Sequence, residues 1–161
     1  MKIIHKAYVY LTCGSHLLVF SEPDHPEIGL QVPGGTIDPG ESYLIGARRE
    51  FFEETGLNPA FALTPFFQED YITKGEVDLE GEQRQMAGCH RRCMFHAVIA
   101  NRPKEAWEHF EMTPSIGGDP IRFHLFWIDL FSSECQEPGT FYAGFDAPLA
   151  ELRKHFAGSL S

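Results

Sequence analysis

The sequence predicts a mixed α/β domain. Three observations carry this: several short runs of branched and aromatic residues read as strands, one long proline-free interval between cap residues reads as a helix, and a shorter apolar periodicity closes the chain. At 161 residues the chain has the size of one domain, so we expect a single unit over 1–161 with one active site.

Taken in order, Lys6 to Thr12 and His16 to Phe20 are rich in valine, leucine and tyrosine and are separated by Cys13, Gly14 and Ser15, which predicts a β-hairpin. Prolines and glycines then crowd the interval from Pro23 to Gly40, leaving room for one short strand at Leu30 to Val32 within a shaped loop. A helix is expected from Ser42 to about Thr55, with Ser42 as N-cap and Gly56 as C-terminal cap. Leu44, Ala47 and Phe51 would form its stripe against a sheet, with Arg48 at the margin. Gly46 would mark close packing against a neighbouring strand.

Ala62 to Ile72, Arg92 to Ala100 and Ile121 to Leu130 have strand composition, the last with alternation at Ile121, Phe123, Leu125 and Trp127. The polar segment Lys74 to Gly88 and a loop with Pro103, Pro114, Gly117, Gly118 and Pro120 are candidate substrate-facing loops. Asp146 to Phe156 carries Leu149, Leu152 and Phe156 at helical spacing and should be a packing helix.

Composition narrows the function. No apolar run is long enough to span a bilayer and the start lacks a signal-peptide core, so a cytoplasmic protein with no membrane partner is expected. Four scattered cysteines suggest reduced thiols. A formal charge of -10 argues against nucleic acid as a partner, because non-specific binding rests on lysines and arginines neutralising phosphates. An acidic protein that handles an anion needs local positive charge, which divalent cations would supply.

The helix raises that need. Glu50, Glu53 and Glu54 lie three and four apart, so their like charges crowd one region near the unfavourable C-terminal end of the helix dipole. Arg49, four residues before Glu53, can orient that carboxylate. Mg²⁺, or Mn²⁺, would be the second source of compensation, since these hard cations take carboxylate oxygens and bridge to phosphates. A solvated acidic face is the simpler explanation for such a string in isolation.

The string is not isolated. From Gly35, five residues lead to Glu41 and seven more to Arg49-Glu50-Phe51-Phe52-Glu53-Glu54-Thr55-Gly56-Leu57. This resembles the Nudix box, G-x5-E-x7-R-E-U-x-E-E-x-G-U, with every fixed position filled from 35 to 57. Phe51 stands where an aliphatic residue is commoner. The resemblance implies an α/β/α sandwich with a mixed β-sheet, a catalytic loop-helix-loop and a C-terminal helix. It implies a metal-dependent hydrolase that cleaves a diphosphate in a nucleoside diphosphate derivative or nucleoside triphosphate. Glu53 and Glu54 would be metal ligands, Glu50 a further ligand or the group that activates water, and the Gly34 carbonyl another ligand. Arg49 and Glu41 would orient them. Homodimers are common in the family. A non-catalytic nucleotide sensor and an RNA 5′-pyrophosphohydrolase are the alternatives, and the intact box carboxylates favour the enzyme.

Outside the box, family members often use another acidic side chain, for which Glu108 and Glu111 are the best-placed candidates, ahead of Glu76 and Glu82. Arg84, Arg91, Arg92 and Lys74 form the basic grouping available to phosphates, or simply balance nearby acids. Trp107, His109, Phe110 and Tyr142 could sandwich a base. Cys89, His90, Cys93 and His96 superficially suggest zinc, but on a strand Cys93 and His96 face opposite ways, so a core Cys93 and a surface His90 are expected.

Overall fold

The computed structural model describes residues 1–114 and 117–157. β1 (Ile3–Cys13) and β2 (His16–Ser21) form the expected hairpin, turned by Gly14 in the left-handed region. Their pairing is confined to the turn end, Thr12 with Leu17 and Cys13 with His16. Farther along, that edge of β1 is taken by β3 (Gly34–Thr36), with Lys6 opposite Thr36 and Tyr8 opposite Gly34. The short strand therefore falls on the glycines rather than at Leu30 to Val32, where there are only isolated bridges from Leu30 to Phe141 and from Gln31 to Phe20.

The helix α1 (Tyr43–Thr55) has the expected caps: Ser42 accepts from the Ile45 N–H at 3.1 Å, and Gly56 ends it at φ 74°. Ala47 and Phe51 are fully buried, but Leu44 is 41% exposed. The difference follows from the buried face, which also takes in Gly46, Glu50 and Glu54 and so turns Leu44 to its margin. A Cβ on Gly46 would lie 2.4 Å from Ile37 Cδ1, so its close packing is against the loop after β3 rather than against a strand.

β4 (Thr64–Thr73) follows, then a small separate hairpin of β5 (Glu76–Val77) and β6 (Gln83–Gln85) inside the segment expected to be loop. β7 (Gly88–Val98) starts earlier than expected because parallel pairing with β1 runs from Ile3 opposite Cys89. β8 (Trp107–Glu111) is an unexpected strand within the second predicted loop, zipped antiparallel to β9 (Ile121–Asp129). The sheet order is β4-β7-β1-β2-β9-β8, all antiparallel except β1 with β7.

Alternation along β1 divides the core. Ala7, Val9 and Leu11 pack with Ala47 and Phe51 beneath α1. Tyr8 and Tyr10 pack on the opposite face with Leu149 and Leu152 of α3 (Leu149–Ala157), which lies beyond the short α2 (Ser133–Gln136). Helices thus cover both faces of a central mixed sheet. Among the described residues no helix is long and apolar enough to cross a membrane.

Candidate active site

The pairing of β3 with β1 stitches Gly34 and Gly35 to the sheet, where they meet the C-terminal half of α1. Two consequences follow. The Gly34 N–H donates to Glu54 Oε1 at 2.6 Å, fixing a carboxylate that is itself buried. A Cβ on Gly35 would lie 2.7 Å from the Glu50 carboxylate, so any larger residue there would displace that carboxylate.

Arg49 is the hub beside them. Its Nε and Nη2 donate to the two oxygens of Glu41 at 2.7 and 2.9 Å, Nη1 reaches Glu50 at 3.1 Å and Glu53 at 3.1 Å, and Nη2 also donates to the Thr36 carbonyl at 3.0 Å. The guanidinium therefore orients three carboxylates and ties the helix to β3.

Glu111, at the end of β8, completes the group. One carboxylate oxygen each from Glu50, Glu54 and Glu111 lies within 4.8 Å of the others. Burial, opposed by the pull of Arg49 and aided by repulsion from Glu53, raises Glu50 to about 7. Burial, then repulsion from Glu50 and Glu53, raises Glu111 likewise to about 7. Glu54 is pushed well above the usual carboxylate range, by burial first and then by Glu111 and Glu50. Such a trio either retains protons near neutral pH or shares a cation, and an all-oxygen donor set suits a hard divalent ion. Glu53 stands outside the trio, half-exposed and held by Arg49.

The trio borders a cleft of about 840 Å³ whose walls include Lys6, Glu22, Gln31, Arg84, Arg92 and Tyr142. Burial lowers the Lys6 pKa, partly offset by attraction to Glu50. Arg84 is paired with the buried Glu22, whose Oε2 also accepts from Gln31 Nε2 at 2.7 Å. Arg92 is buried, donating to the Ala143 carbonyl at 2.7 Å and lying 4.0 Å from the Tyr71 ring centroid.

Other expected residues lie elsewhere. Arg91 pairs with Asp70 on an exposed strand face. Glu108 points away from the trio to an exposed ion pair with Arg122 at 3.1 Å, as alternation along β8 requires with Glu111 inward. Trp107 belongs to a strand, its Nε1 donating to the Thr55 carbonyl at 2.9 Å while its ring packs on the core beneath α1. His109 similarly caps the far end of the helix, with Nε2 3.0 Å from the Glu53 carbonyl. On β7, Cys93 joins the α1-side core and His96 meets Thr12 Oγ1 at 2.8 Å on the other face. His90 is buried, not at the surface: it lies on β7 between Ile4 of β1 and Tyr71 of β4, with its Nε2 2.8 Å from the Met86 carbonyl.

Lys6, Glu22 and Gln31 went unrecognised in the sequence. A lysine within an apolar strand and a glutamate directly after one were the available signals.

A mixed sheet between helical layers thus carries buried carboxylates gathered along a cleft, an all-oxygen group that could hold a hard cation. The NUDIX domain family profile matches residues 5–115. The chain belongs to that family and is a Nudix hydrolase. No curated protein matches it by sequence. Among solved structures it is similar to an Ap4A hydrolase from C. elegans, at TM-score 0.60 and 18% identity, covering 96% of this chain and 98% of that one. It is also similar to a NUDIX hydrolase from Nitrosomonas europaea, at TM-score 0.59 and 17% identity, covering 98% and 90%. A mutT/nudix family protein from Listeria innocua gives TM-score 0.58 and 18% identity, covering 98% and 96%.

Proposed function

We propose that the chain, acting as one unit over 1–161, hydrolyses a P–O–P linkage in a nucleoside diphosphate derivative or nucleoside triphosphate with Mg²⁺ or Mn²⁺. The observation that carries this reading is the convergence of Glu50, Glu54 and Glu111 within 4.8 Å in the wall of the cleft. Glu50, Glu54 and Glu111 would hold the cation, with Glu53 and the Gly34 carbonyl at the margin of the same site. When bound, it supplies charge neutralisation at the phosphate oxygens and activation of water.

The chain's own groups supply the rest. In the cation-free site Glu50 and Glu111 are both raised to about 7, and whichever of the two is left off the cation would be the group suited to take a proton from attacking water. Arg49 and Glu41 hold the helix carboxylates in one geometry, so little reorganisation is needed during reaction. Lys6, Arg84 and Arg92 bring positive charge to a cleft that otherwise repels an anion.

The test is turnover of a panel of nucleoside triphosphates, nucleotide sugars and dinucleoside polyphosphates, the last suggested by the C. elegans Ap4A hydrolase. Mg²⁺ and Mn²⁺ are compared with chelator, and Glu53→Gln and Glu54→Gln with the native chain. Metal-dependent cleavage lost in Glu54→Gln and weakened in Glu53→Gln is expected. Turnover that survives both substitutions would overturn the assignment.

A further inference from the structure

The β5–β6 hairpin belongs to no larger sheet, yet it is held against the segment after β2 at two points. One is the Arg84–Glu22 pair at the cleft. The other joins His25, three residues beyond Glu22, to Asp78 at the tip of the hairpin. The turn from Glu22 to His25 is closed by a backbone hydrogen bond of 2.9 Å, so both contacts issue from one compact segment.

At the second point the donors are arranged without satisfying one another. Asp78 Oδ1 accepts from the backbone N–H groups of Glu80 and Glu82, each at 3.0 Å. Its other oxygen, Oδ2, is buried and has no hydrogen-bond partner, on a side chain only 1% exposed. His25 Nδ1 lies 3.7 Å from it, and Glu27 Oε1 lies 3.7 Å from the same nitrogen. Both gaps are too long for hydrogen bonds. They are near the edge of about 3.4 Å expected between two ligands of one tetrahedral ion at zinc bond lengths. Glu80 adds a third ligand atom, and those of His25, Asp78 and Glu80 all fall within 4.8 Å of one another.

We propose that His25, Asp78 and Glu80, with Glu27 alongside, form a second cation site, separate from the carboxylate trio, that clasps the β5–β6 hairpin to the rim of the cleft. An imidazole beside carboxylates selects Zn²⁺ or a similar transition ion over Mg²⁺. Binding gives the orphaned Asp78 oxygen a partner and replaces repulsion among acids with shared attraction. Because Arg84 lies on β6, the clasp also holds that arginine at the cleft wall.

The experiment is zinc titration of the full chain by calorimetry, with excess Mg²⁺ present to occupy the carboxylate trio. Native protein, His25→Gln, Asp78→Asn, Glu80→Gln and the double variant Glu50→Gln/Glu54→Gln are compared, together with melting temperatures in zinc and in chelator. One zinc per native chain is expected, bound at least tenfold more weakly by His25→Gln and Asp78→Asn and several-fold more weakly by Glu80→Gln. The double variant should retain native affinity. Zinc should raise the melting temperature of the native chain and not that of His25→Gln. Glu80 is exposed, so its variant reports on the site even if Asp78→Asn does not fold. The proposal is overturned if the native chain shows no saturable zinc binding beside Mg²⁺. It is equally overturned if His25→Gln and Glu80→Gln bind as the native chain does, or if binding is lost only in the double variant.

Discussion

Arg49 and Glu41 meet in a two-point pair, Nε to Oε2 at 2.7 Å and Nη2 to Oε1 at 2.9 Å. The same guanidinium spans Glu50 and Glu53, so the pair sets the aim of the helix carboxylates from outside the helix. A lysine keeps the charge but lacks the planar fork. Arg49→Lys should therefore lower metal-dependent turnover by about 10- to 100-fold, the range typical of groups that orient metal ligands. Steady-state kinetics over a Mg²⁺ titration would check it, and an unchanged kcat and metal requirement would contradict it.

Gly35→Ala should act on the site while sparing the fold. The added methyl would sit 2.7 Å from the Glu50 carboxylate, which must move out of the trio. Turnover should fall at least tenfold while the circular dichroism spectrum is retained. Native turnover in this variant would show that the Glu50 position is not needed.

Stability should fall as pH rises through the range in which the trio ionises. The folded state holds Glu50 and Glu111 at about 7, against a reference value of 4.5. Below 4.5 folded and unfolded chains both carry the protons and the stabilisation is complete. Between 4.5 and 7 the unfolded chain releases them first, so the stabilisation declines, and above 7 it is gone. In chelator the melting temperature should drop by several degrees between about pH 5 and about pH 8, and saturating Mg²⁺ should reduce that drop. Equal drops with and without Mg²⁺ would separate the cation from these carboxylates.

Glu111→Gln isolates the cluster from other titrating groups. Removing one buried like charge should raise the melting temperature in chelator near pH 8 relative to the native chain, while turnover falls. A variant that melts lower at that pH and keeps full activity would contradict both the electrostatics and the role.

Ser42→Ala tests the cap. Losing the hydrogen bond to the Ile45 N–H should cost about 1 kcal/mol, or roughly 2–4 °C in melting temperature for a chain of this size. Thermal denaturation measures it directly, and an unchanged midpoint would show the helix start to be held by packing alone.

The sequence by itself determined the features that depend on neighbours along the chain. Ser42 and Gly56 delimit α1, Gly14 and Ser15 turn the first hairpin, and the spacing of Arg49, Glu50, Glu53 and Glu54 follows from helical geometry. Only the tertiary structure decided which acids converge. Glu111 reaches Glu50 and Glu54 because β8 pairs with β9 at the sheet edge, and a five-residue strand of mixed charge and aromatics has no local signature. Leu44 is exposed, and Glu50 and Glu54 buried, in a helix whose Glu50 and Glu54 lie against the glycines of β3, a contact that depends on the pairing of β3 with β1. Trp107 and His109 were drawn to carbonyls at the end of α1, so aromatic groups that could have faced a ligand became packing. Local geometry fixes where a side chain sits on its own element, while strand register and the burial of one element against another determine what it meets.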